Sequence, residues 1–274
     1  MSASPASSRA LAGALPGLRQ AWRGAREVLY AGYAWSALGI CAAALWIAVA
    51  LLPKLSWRKA VARGMSQLLL RLFGIPVRVH GLEHLPHDHA CVAVVNHASY
   101  LDPLVLVAVL PKTMSFVAKR ELAQQFFAKV LFRRLGTEFV ERFDPQRGVE
   151  DTDRVLQAVR QGRSMLFFPE GTFGRAPGLR PFRMGAFVVA AQTGMPLVPM
   201  GISGTRSILR SGQWFPRRGQ VSVTIGAPIT PQGTGWTAAI ALRDAARIQI
   251  LEYCGEPDLA PEFEAGLATP GAPG

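Results

Sequence analysis

The sequence predicts an α/β fold, with a mostly parallel central sheet flanked by helices and a membrane-associated helical segment at the N-terminus. Seven short β-rich runs alternate with helix-length stretches, which is typical of βαβ units. Central runs such as CVAVV and SMLFF are almost wholly apolar, as expected of strands covered on both faces. The 274 residues, 50% of them hydrophobic, are enough to bury one sizeable core.

The uncharged segment 30–52, YAGYAWSALGICAAALWIAVALL, is about as long as the ~20 residues that a helix needs to cross a bilayer. Trp35 and Trp46 suit membrane interfaces, and basic residues flank both ends, so the charge rule fixes no orientation. The run is too long and starts too late for a cleaved signal peptide. Two arrangements stay open, a spanning helix and a helix or hairpin lying in one leaflet.

Composition divides the remainder of the chain. Residues 1–18 and 257–274 are rich in small residues and proline, which predicts disorder. Residues 19–73 form the membrane-anchoring segment, including an amphipathic basic helix over 57–73. Residues 74–256 form the α/β domain, with predicted strands at 77–81, 91–95, 114–119, 137–142, 164–168, 196–204 and 221–226. The predicted helices between them cover 103–110, 121–135, 148–161, 183–193 and 236–254.

The charge balance favours an anionic partner. The chain has 30 Lys and Arg against 18 Asp and Glu, a net charge of +12. The bases are spread along the chain and a nucleic-acid-binding protein has no use for the apolar segment, so we expect a membrane and no nucleic acid. Three well-separated cysteines suggest neither a disulfide framework nor a zinc finger. We therefore expect a cytoplasmic (inner) membrane location with the α/β domain facing the cytosol.

His97 and Asp102 follow the predicted strand 91–95. Five residues along a helix rotate by about 140°, so the two side chains can pair only across a turn. There the carboxylate would fix the histidine tautomer and make the ring a base. In the alternative, Asp102 is an N-cap before Pro103 and His97 is a core histidine. No G-x-S-x-G elbow or suitably placed cysteine offers a nucleophile, so such a base would activate a substrate hydroxyl or water.

A turn, Pro169-Glu170-Gly171-Thr172, follows the predicted strand 164–168. Glu170 could accept hydrogen bonds from a polyol hydroxyl or order an arginine, and nearby guanidinium groups could grip phosphate. The alternatives are an ordinary turn and solvated surface arginines. The arginines concerned are Arg142, Arg175, Arg180 and Arg183. The chain carries no P-loop or dinucleotide fingerprint.

These residues together resemble the glycerolipid acyltransferases, most closely the 1-acylglycerol-3-phosphate acyltransferases. Asn96-His97-Ala98-Ser99-Tyr100-Leu101-Asp102 matches the family's N-H-x-x-x-x-D motif. Three further blocks follow in order within about residues 76–226: Lys119-Arg120-Glu121-Leu122 with Gly136 and Glu141-Arg142, then Phe168-Pro169-Glu170-Gly171-Thr172, then Val198-Pro199-Met200.

The resemblance implies that His97 deprotonates the acceptor hydroxyl, that Asp102 orients His97, and that no acyl-enzyme forms. The acyl donor would be acyl-CoA or acyl-carrier protein, with no cofactor, and the product phosphatidic acid. The residues expected to bind the acceptor are Asn96, Arg142, Glu170, Gly171, Thr172 and Arg175. Phe173 departs from the family, many members of which have arginine there. Another lysophospholipid or a lyso-ornithine lipid is therefore an alternative acceptor.

Two other functions are compatible with parts of the sequence, and a metal site is not expected. His80, His84, His87 and His89 match no standard zinc spacing, so no metal site is expected. A non-catalytic lipid-binding module would keep the anchor and the arginines but would have no use for His97. A thioesterase would pass the acyl group to water.

Overall fold

The computed structural model describes residues 5–140 and 145–263, and the strands within them form one seven-stranded sheet. The strands are β1 (Val77–His80), β2 (Val92–Val95), β3 (Ser115–Lys119), β4 (Glu138–Val140), β5 (Met165–Phe167), β6 (Leu197–Ser203) and β7 (Val221–Ile225). Their order across the sheet is β1-β7-β6-β2-β5-β3-β4. Each strand lies within a run predicted from the sequence.

Eight α-helices accompany the sheet in these residues. They are α1 (Pro5–Leu51), α2 (Leu55–Leu72), α3 (Asp102–Val109), α4 (Phe126–Arg134), α5 (Pro145–Arg160), α6 (Gly185–Thr193), α7 (Thr205–Ile208) and α8 (Trp236–Cys254). Short 3-10 turns lie at Leu82–His84 and Arg120–Gln124.

The predicted mostly parallel sheet is confirmed, with one reversal. Neighbours from β6 through β2, β5 and β3 to β4 are parallel, whereas β7 runs antiparallel to β6 and parallel to β1. The reversal needs a glycine at Gly204, which follows β6 with φ 90° and where a Cβ would collide with the carbonyl oxygen of Gln220.

Both faces of the sheet are covered, because successive residues of a strand point to opposite sides. Ala93 and Val95 of β2 join a core packed by α2 and α3, while Val92 and Val94 join a second core packed by α5, α6 and α8. All four residues are fully buried. This double burial fixes the end of β2, from which the His97 turn departs.

Helix α1 lies along the α/β domain. Its part Gly24–Leu51 is long and apolar enough, with a mean hydropathy of 2.0, to cross a membrane by length and composition. At one end Tyr30 donates from its hydroxyl to the Phe73 carbonyl at 2.8 Å. At the other end the Arg134 guanidinium donates to the carbonyls of Val49 (2.8 Å), Ala50 and Leu52.

Arginine side chains satisfy the carbonyl groups that helix ends leave unpaired. Arg58 joins Arg134 at the end of α1, with its Nε 2.7 Å from the Leu52 oxygen. Arg63 donates to the Ala108 and Val109 carbonyls at the end of α3, and the Gln67 amide also reaches Ala108. Cations there also interact favourably with the helix dipoles.

The structure differs from the sequence prediction in three places. Helix α1 begins at Pro5, inside the stretch 1–18 for which composition predicts disorder, because its many alanines also favour helix. In the stretch 257–274, also predicted to be disordered, the backbone of Asp258 forms an isolated parallel β-bridge with that of Leu179. The helix predicted over 121–135 is divided by extended Gln125 into a 3-10 turn and α4.

Gly201→Ala should lower the free energy of unfolding, by about 1–3 kcal/mol as is usual for overpacking. A Cβ on Gly201 of β6 would collide with the Tyr253 side chain and lie 3.0 Å from its carbonyl carbon, so the backbone of α8 would have to move. Denaturant unfolding of the detergent-solubilised protein measures the change. Gly185→Ala, which points into open space, is the control and should cost nothing. Equal stability of both variants would contradict the close packing of α8 on β6.

Candidate active site

His97 and Asp102 are brought together by the turn that leaves β2. Asp102 is fully buried, and its Oδ2 lies 2.8 Å from His97 Nδ1. The same oxygen accepts the N–H groups of Ala98 at 2.7 Å and Ser99 at 2.8 Å. A carboxylate surrounded by donors accepts from Nδ1–H, which leaves Nε2 as the basic nitrogen.

The structure corrects the N-cap alternative for Asp102. Its Oδ2 bonds to residues before α3, and Oδ1 is buried without a hydrogen-bond partner in the described part of the chain. Pro103 does occupy the first turn of α3, as expected. The carboxylate is therefore directed at the histidine and its turn instead of the helix terminus.

Asn96 fixes the position at which the turn starts. Its side-chain amide donates from Nδ2 to the Ile202 carbonyl at 2.9 Å and accepts the Ile202 N–H on Oδ1 at 2.7 Å. The side chain is buried and continues the pairing of β2 with β6 by one step. Ser99 anchors the other side of the turn, because its hydroxyl donates to the Leu209 carbonyl at 2.7 Å.

The buried side chain of Glu170 supports the turn that carries His97. It is 5% exposed, and its Oε1 accepts the His97 N–H at 2.6 Å while Oε2 accepts the Arg180 N–H at 2.9 Å. Burial raises the pKa of its carboxyl group to about 7, although the two N–H groups act to lower it. The carboxyl group therefore joins the His97 turn to the loop that follows β5.

Two phenylalanine rings enclose the imidazole. Phe168 stacks on His97 with ring centroids 4.2 Å apart and planes at 27°, and Phe173 packs against it at 4.3 Å and 56°. The Tyr100 ring meets Phe173 edge-on at 4.8 Å. Only 16% of the His97 side chain is exposed. The rings restrict the imidazole to one orientation and keep water from its faces.

His97 lines a cavity of about 530 Å³, within the usual size range of small-molecule sites. Most of its wall is apolar, and α2, α3, β3 and the loop after β5 all contribute to it. Lys59 of α2 lies on the wall and donates from Nζ to the Ser115 hydroxyl at 2.8 Å. Burial, with help from nearby Arg163, lowers the pKa of Lys59 to about 8.

The structure places the other predicted site residues differently with respect to the cavity. Gly171 and Thr172 line the cavity with His97, whereas Asn96 and Glu170 lie buried behind it. Arg175 is exposed, is not part of the described cavity wall, and has its guanidinium beside Gly212. Arg142 lies outside the described residues.

Sequence reasoning missed the Arg206–Glu256 pair, which holds the loop after Thr172. Arg206 Nε lies 2.6 Å from Glu256 Oε1 and Nη2 lies 2.8 Å from Oε2. Arg206 Nη1 also donates to the Gly174 and Ala176 carbonyls, and Glu256 accepts the Gly178 N–H. The C-terminal segment thus stabilises the loop that leads to Arg180. No spacing rule joins residues 50 positions apart, so the sequence offered no signal for the pair.

The predicted absence of a metal concerns the histidines of the 80–89 segment. His84 Nδ1 lies 2.8 Å from the Ile225 carbonyl oxygen. Among residues 5–140 and 145–263, no group of three or more His, Cys, Asp or Glu side chains has a metal-binding arrangement.

The structure thus brings a buried Asp–His pair to the wall of an apolar cavity. The family model described as acyltransferase matches residues 76–203. The chain is 30% identical over 214 residues to human 1-acyl-sn-glycerol-3-phosphate acyltransferase alpha, covering 76% of each chain. The chain belongs to the acyltransferase family, which confirms the resemblance seen in the sequence.

Two further comparisons agree. A chloroplastic 1-acyl-sn-glycerol-3-phosphate acyltransferase of Brassica napus is 36% identical over 179 residues, which cover 64% of this chain and 49% of the relative. The chain thus spans about half the length of that plant relative. The crystal structure of the 1-acyl-sn-glycerophosphate (LPA) acyltransferase PlsC from Thermotoga maritima superimposes with a TM-score of 0.70 at 21% identity, covering 84% of this chain and 97% of that one. That similarity shows the shared fold.

The raised pKa of Glu170 predicts a pH-dependent stability. Below about pH 4.5 the carboxyl group is protonated in both the folded and the unfolded chain. As the pH rises to about 7 it ionises first in the unfolded chain, so the folded state loses up to about 3 kcal/mol over this window. Thermal unfolding of wild type and Glu170→Gln between pH 5 and 8 measures this. Wild type should lose more stability than the variant.

Exposed Glu83→Gln is the control for this series, and its stability curve should run parallel to that of wild type. Parallel curves for Glu170→Gln and wild type would contradict the raised pKa.

Glu256→Ala should destabilise the fold by about 3–5 kcal/mol, because it leaves the Arg206 guanidinium, 12% exposed, without its carboxylate. Asp244→Ala is the matched control, since its pair with Arg243 is largely exposed and should be worth under about 1 kcal/mol. Both variants are compared by denaturant unfolding. Similar losses for the two would show that the Arg206–Glu256 pair does not stabilise the loop.

Proposed function

We propose that the protein transfers a fatty acyl group from a thioester of CoA or acyl-carrier protein to the free hydroxyl of 1-acylglycerol-3-phosphate, giving phosphatidic acid. The observation that carries the proposal is the buried Asp102 paired with His97 on the wall of an apolar cavity. The names of the relatives support this acceptor. An apolar cavity of this size suits an acyl chain, and the polar histidine lies where the reacting groups must meet.

In the proposed mechanism, Nε2 of His97 takes the proton of the acceptor hydroxyl as its oxygen attacks the thioester carbonyl. The tetrahedral intermediate collapses by breaking the carbon–sulfur bond, and the imidazolium returns its proton to the departing thiolate. Asp102 stabilises the imidazolium between these steps. The acyl group passes directly to the acceptor, so no residue of the protein is acylated.

Cationic side chains on the cavity wall suit an anionic acceptor. Lys112 and Lys119 line the cavity, and ammonium groups bind phosphate oxygens well. Phe173, however, places an aromatic ring against His97 where many family members have arginine. This contact favours a second candidate acceptor, a lysophospholipid with a larger headgroup or a lyso-ornithine lipid.

We infer that α1 lies in one leaflet of the cytoplasmic membrane, with the α/β domain in the cytosol. The domain contacts α1 at Tyr30 and again at Val49, positions about 28 Å apart along the helix. A spanning α1 would carry these parts of the domain through the hydrocarbon core, which is about 30 Å thick. An anchor in one leaflet keeps the cavity beside both the lipid and the water-soluble thioester.

His97→Ala should lower turnover at least about 100-fold, because general-base catalysis typically contributes that much or more. Asp102→Asn should also lower turnover, because it removes the charge that stabilises the imidazolium. Release of CoA from a long-chain acyl-CoA is measured in detergent with lysophosphatidic acid, lysophosphatidylethanolamine, a lyso-ornithine lipid or no acceptor, and acyl-carrier protein replaces CoA in a second series.

The control is His87→Ala, a histidine exposed outside the cavity, which should keep wild-type turnover. Normal turnover by His97→Ala would refute the base assignment. Release without any acceptor would identify a thioesterase. No transfer with any combination of donor and acceptor would leave a lipid-binding module as the better account.

A further inference from the structure

We propose that the loop 210–218 is a second membrane contact, which docks the α/β domain on an anionic lipid surface at the mouth of the cavity. The inference rests on the proposed function, since it assumes that the acceptor is a membrane lipid. The loop connects the short helix α7 to β7 and reads RSGQWFPRR. It lies apart from the helical anchor in sequence and belongs to the catalytic domain.

The loop exposes the side chains that membrane interfaces favour. Trp214 is 72% exposed and Phe215 59% exposed, although both rings have large apolar surfaces. Tryptophan is enriched at the headgroup level, where its ring is half in lipid and half in water. Arg210, Arg217 and Arg218 are also exposed. Basic side chains of this kind are attracted to the negative surface of a cytoplasmic leaflet.

The loop continues the surface of α1, which fixes its orientation. Trp35 of α1 donates from Nε1 to the Trp214 carbonyl at 2.6 Å, and the two indole rings lie 5.6 Å apart. The Arg218 guanidinium lies over the Tyr30 ring at 5.3 Å. If the apolar face of α1 lies in lipid, Trp214 and Phe215 lie at the same boundary.

The loop also reaches the reaction centre. Ser211, next to Arg210, lines the cavity that holds His97. Leu209 accepts the hydroxyl hydrogen bond of Ser99, which is part of the His97 turn, and the Arg217 N–H closes the loop on the Ile208 carbonyl at 2.8 Å. One side of the loop therefore faces the lipid and the other faces the cavity. A lysolipid that enters the cavity from the membrane needs a path with these two borders.

The arginines alone would also suit an acidic carrier protein as the partner of the loop. The exposed rings of Trp214 and Phe215 favour a lipid surface instead. Trp214 packs against Trp35 of α1, and α1 exposes further large apolar side chains, so a protein partner would compete with the bilayer there. The charges and the rings together match an anionic bilayer surface, which offers both a negative plane and an apolar interior.

A pair of spin-labelled variants of the full chain tests the proposal. The three native cysteines are buried, so a cysteine introduced at exposed Gln213 or at Ile248 can be labelled selectively. Ile248 is 70% exposed on α8, which packs on the other face of the sheet from α1 and is the matched control. Each variant is reconstituted in phosphatidylcholine vesicles with or without phosphatidylglycerol, and collisions with oxygen and with a water-soluble nickel complex are measured.

We expect the label at Gln213→Cys to be accessible to oxygen and shielded from nickel in the anionic vesicles, and the label at Ile248→Cys to show the reverse. A water-exposed label at Gln213→Cys in anionic vesicles would overturn the proposal. Shielding that appears only when acyl-carrier protein is added would also overturn it, since the loop would then be a protein-docking site.

Arg210→Gln/Arg217→Gln tests the charge contribution. An arginine near an anionic surface changes partitioning about fivefold, so the loss of two should raise the KM for lysolipid in anionic vesicles by roughly five- to twenty-five-fold. Turnover on detergent-dispersed lysolipid should stay at the wild-type value, and Arg160→Gln on the opposite face should change neither quantity. An unchanged KM in anionic vesicles would contradict the charge contribution. Lipid contact without acyl transfer by wild type would refute the proposed function alone.

Discussion

A carboxylate without access to water determines the geometry of the site. Asp102 can be buried as an acceptor because three donors, the His97 ring and the N–H groups of Ala98 and Ser99, meet one of its oxygens. Those donors exist only if the chain turns sharply after β2. The turn in turn depends on Asn96 and Glu170, two more buried side chains that bond to backbone groups. These two side chains therefore hold the His97 turn in place through their hydrogen bonds.

The basic residues of the chain have two roles, which the net charge alone does not distinguish. Several guanidinium groups satisfy carbonyls inside the protein: Arg58 and Arg134 at the end of α1, Arg63 at the end of α3 and Arg206 in the loop after Thr172. Because a helix end without such partners would leave carbonyls unpaired, these arginines are part of the fold. The charge available to an anionic partner is therefore smaller than +12, and it includes the exposed arginines of loop 210–218.

The sequence predicted the sheet because its strands are apolar runs bounded by turns. Spacing alone left both a His97–Asp102 pair and an N-cap at Asp102 open, and only the family resemblance favoured the pair. It did not predict the reversal of β7, which depends on a close backbone approach at Gly204. The phenylalanine rings around His97 were visible only as neighbours of a motif, since stacking is a three-dimensional relation. The pair of Arg206 and Glu256 joins residues from distant elements. Residues 5–18 belong to helix α1 although their composition predicts disorder, because alanine is compatible with both.

Helix α1 is held by residues that are synthesised much later than the helix itself. A ribosome completes α1 well before Arg134, whose guanidinium binds its last carbonyls, and Trp214 follows Trp35 by 179 positions. Throughout that interval the apolar helix has no intramolecular partner for these contacts. Apolar surface exposed in this way favours aggregation unless a chaperone or a bilayer covers it, and the α/β domain folds against the helix afterwards. Correct seating of the anchor is accordingly a late event in the life of the nascent chain.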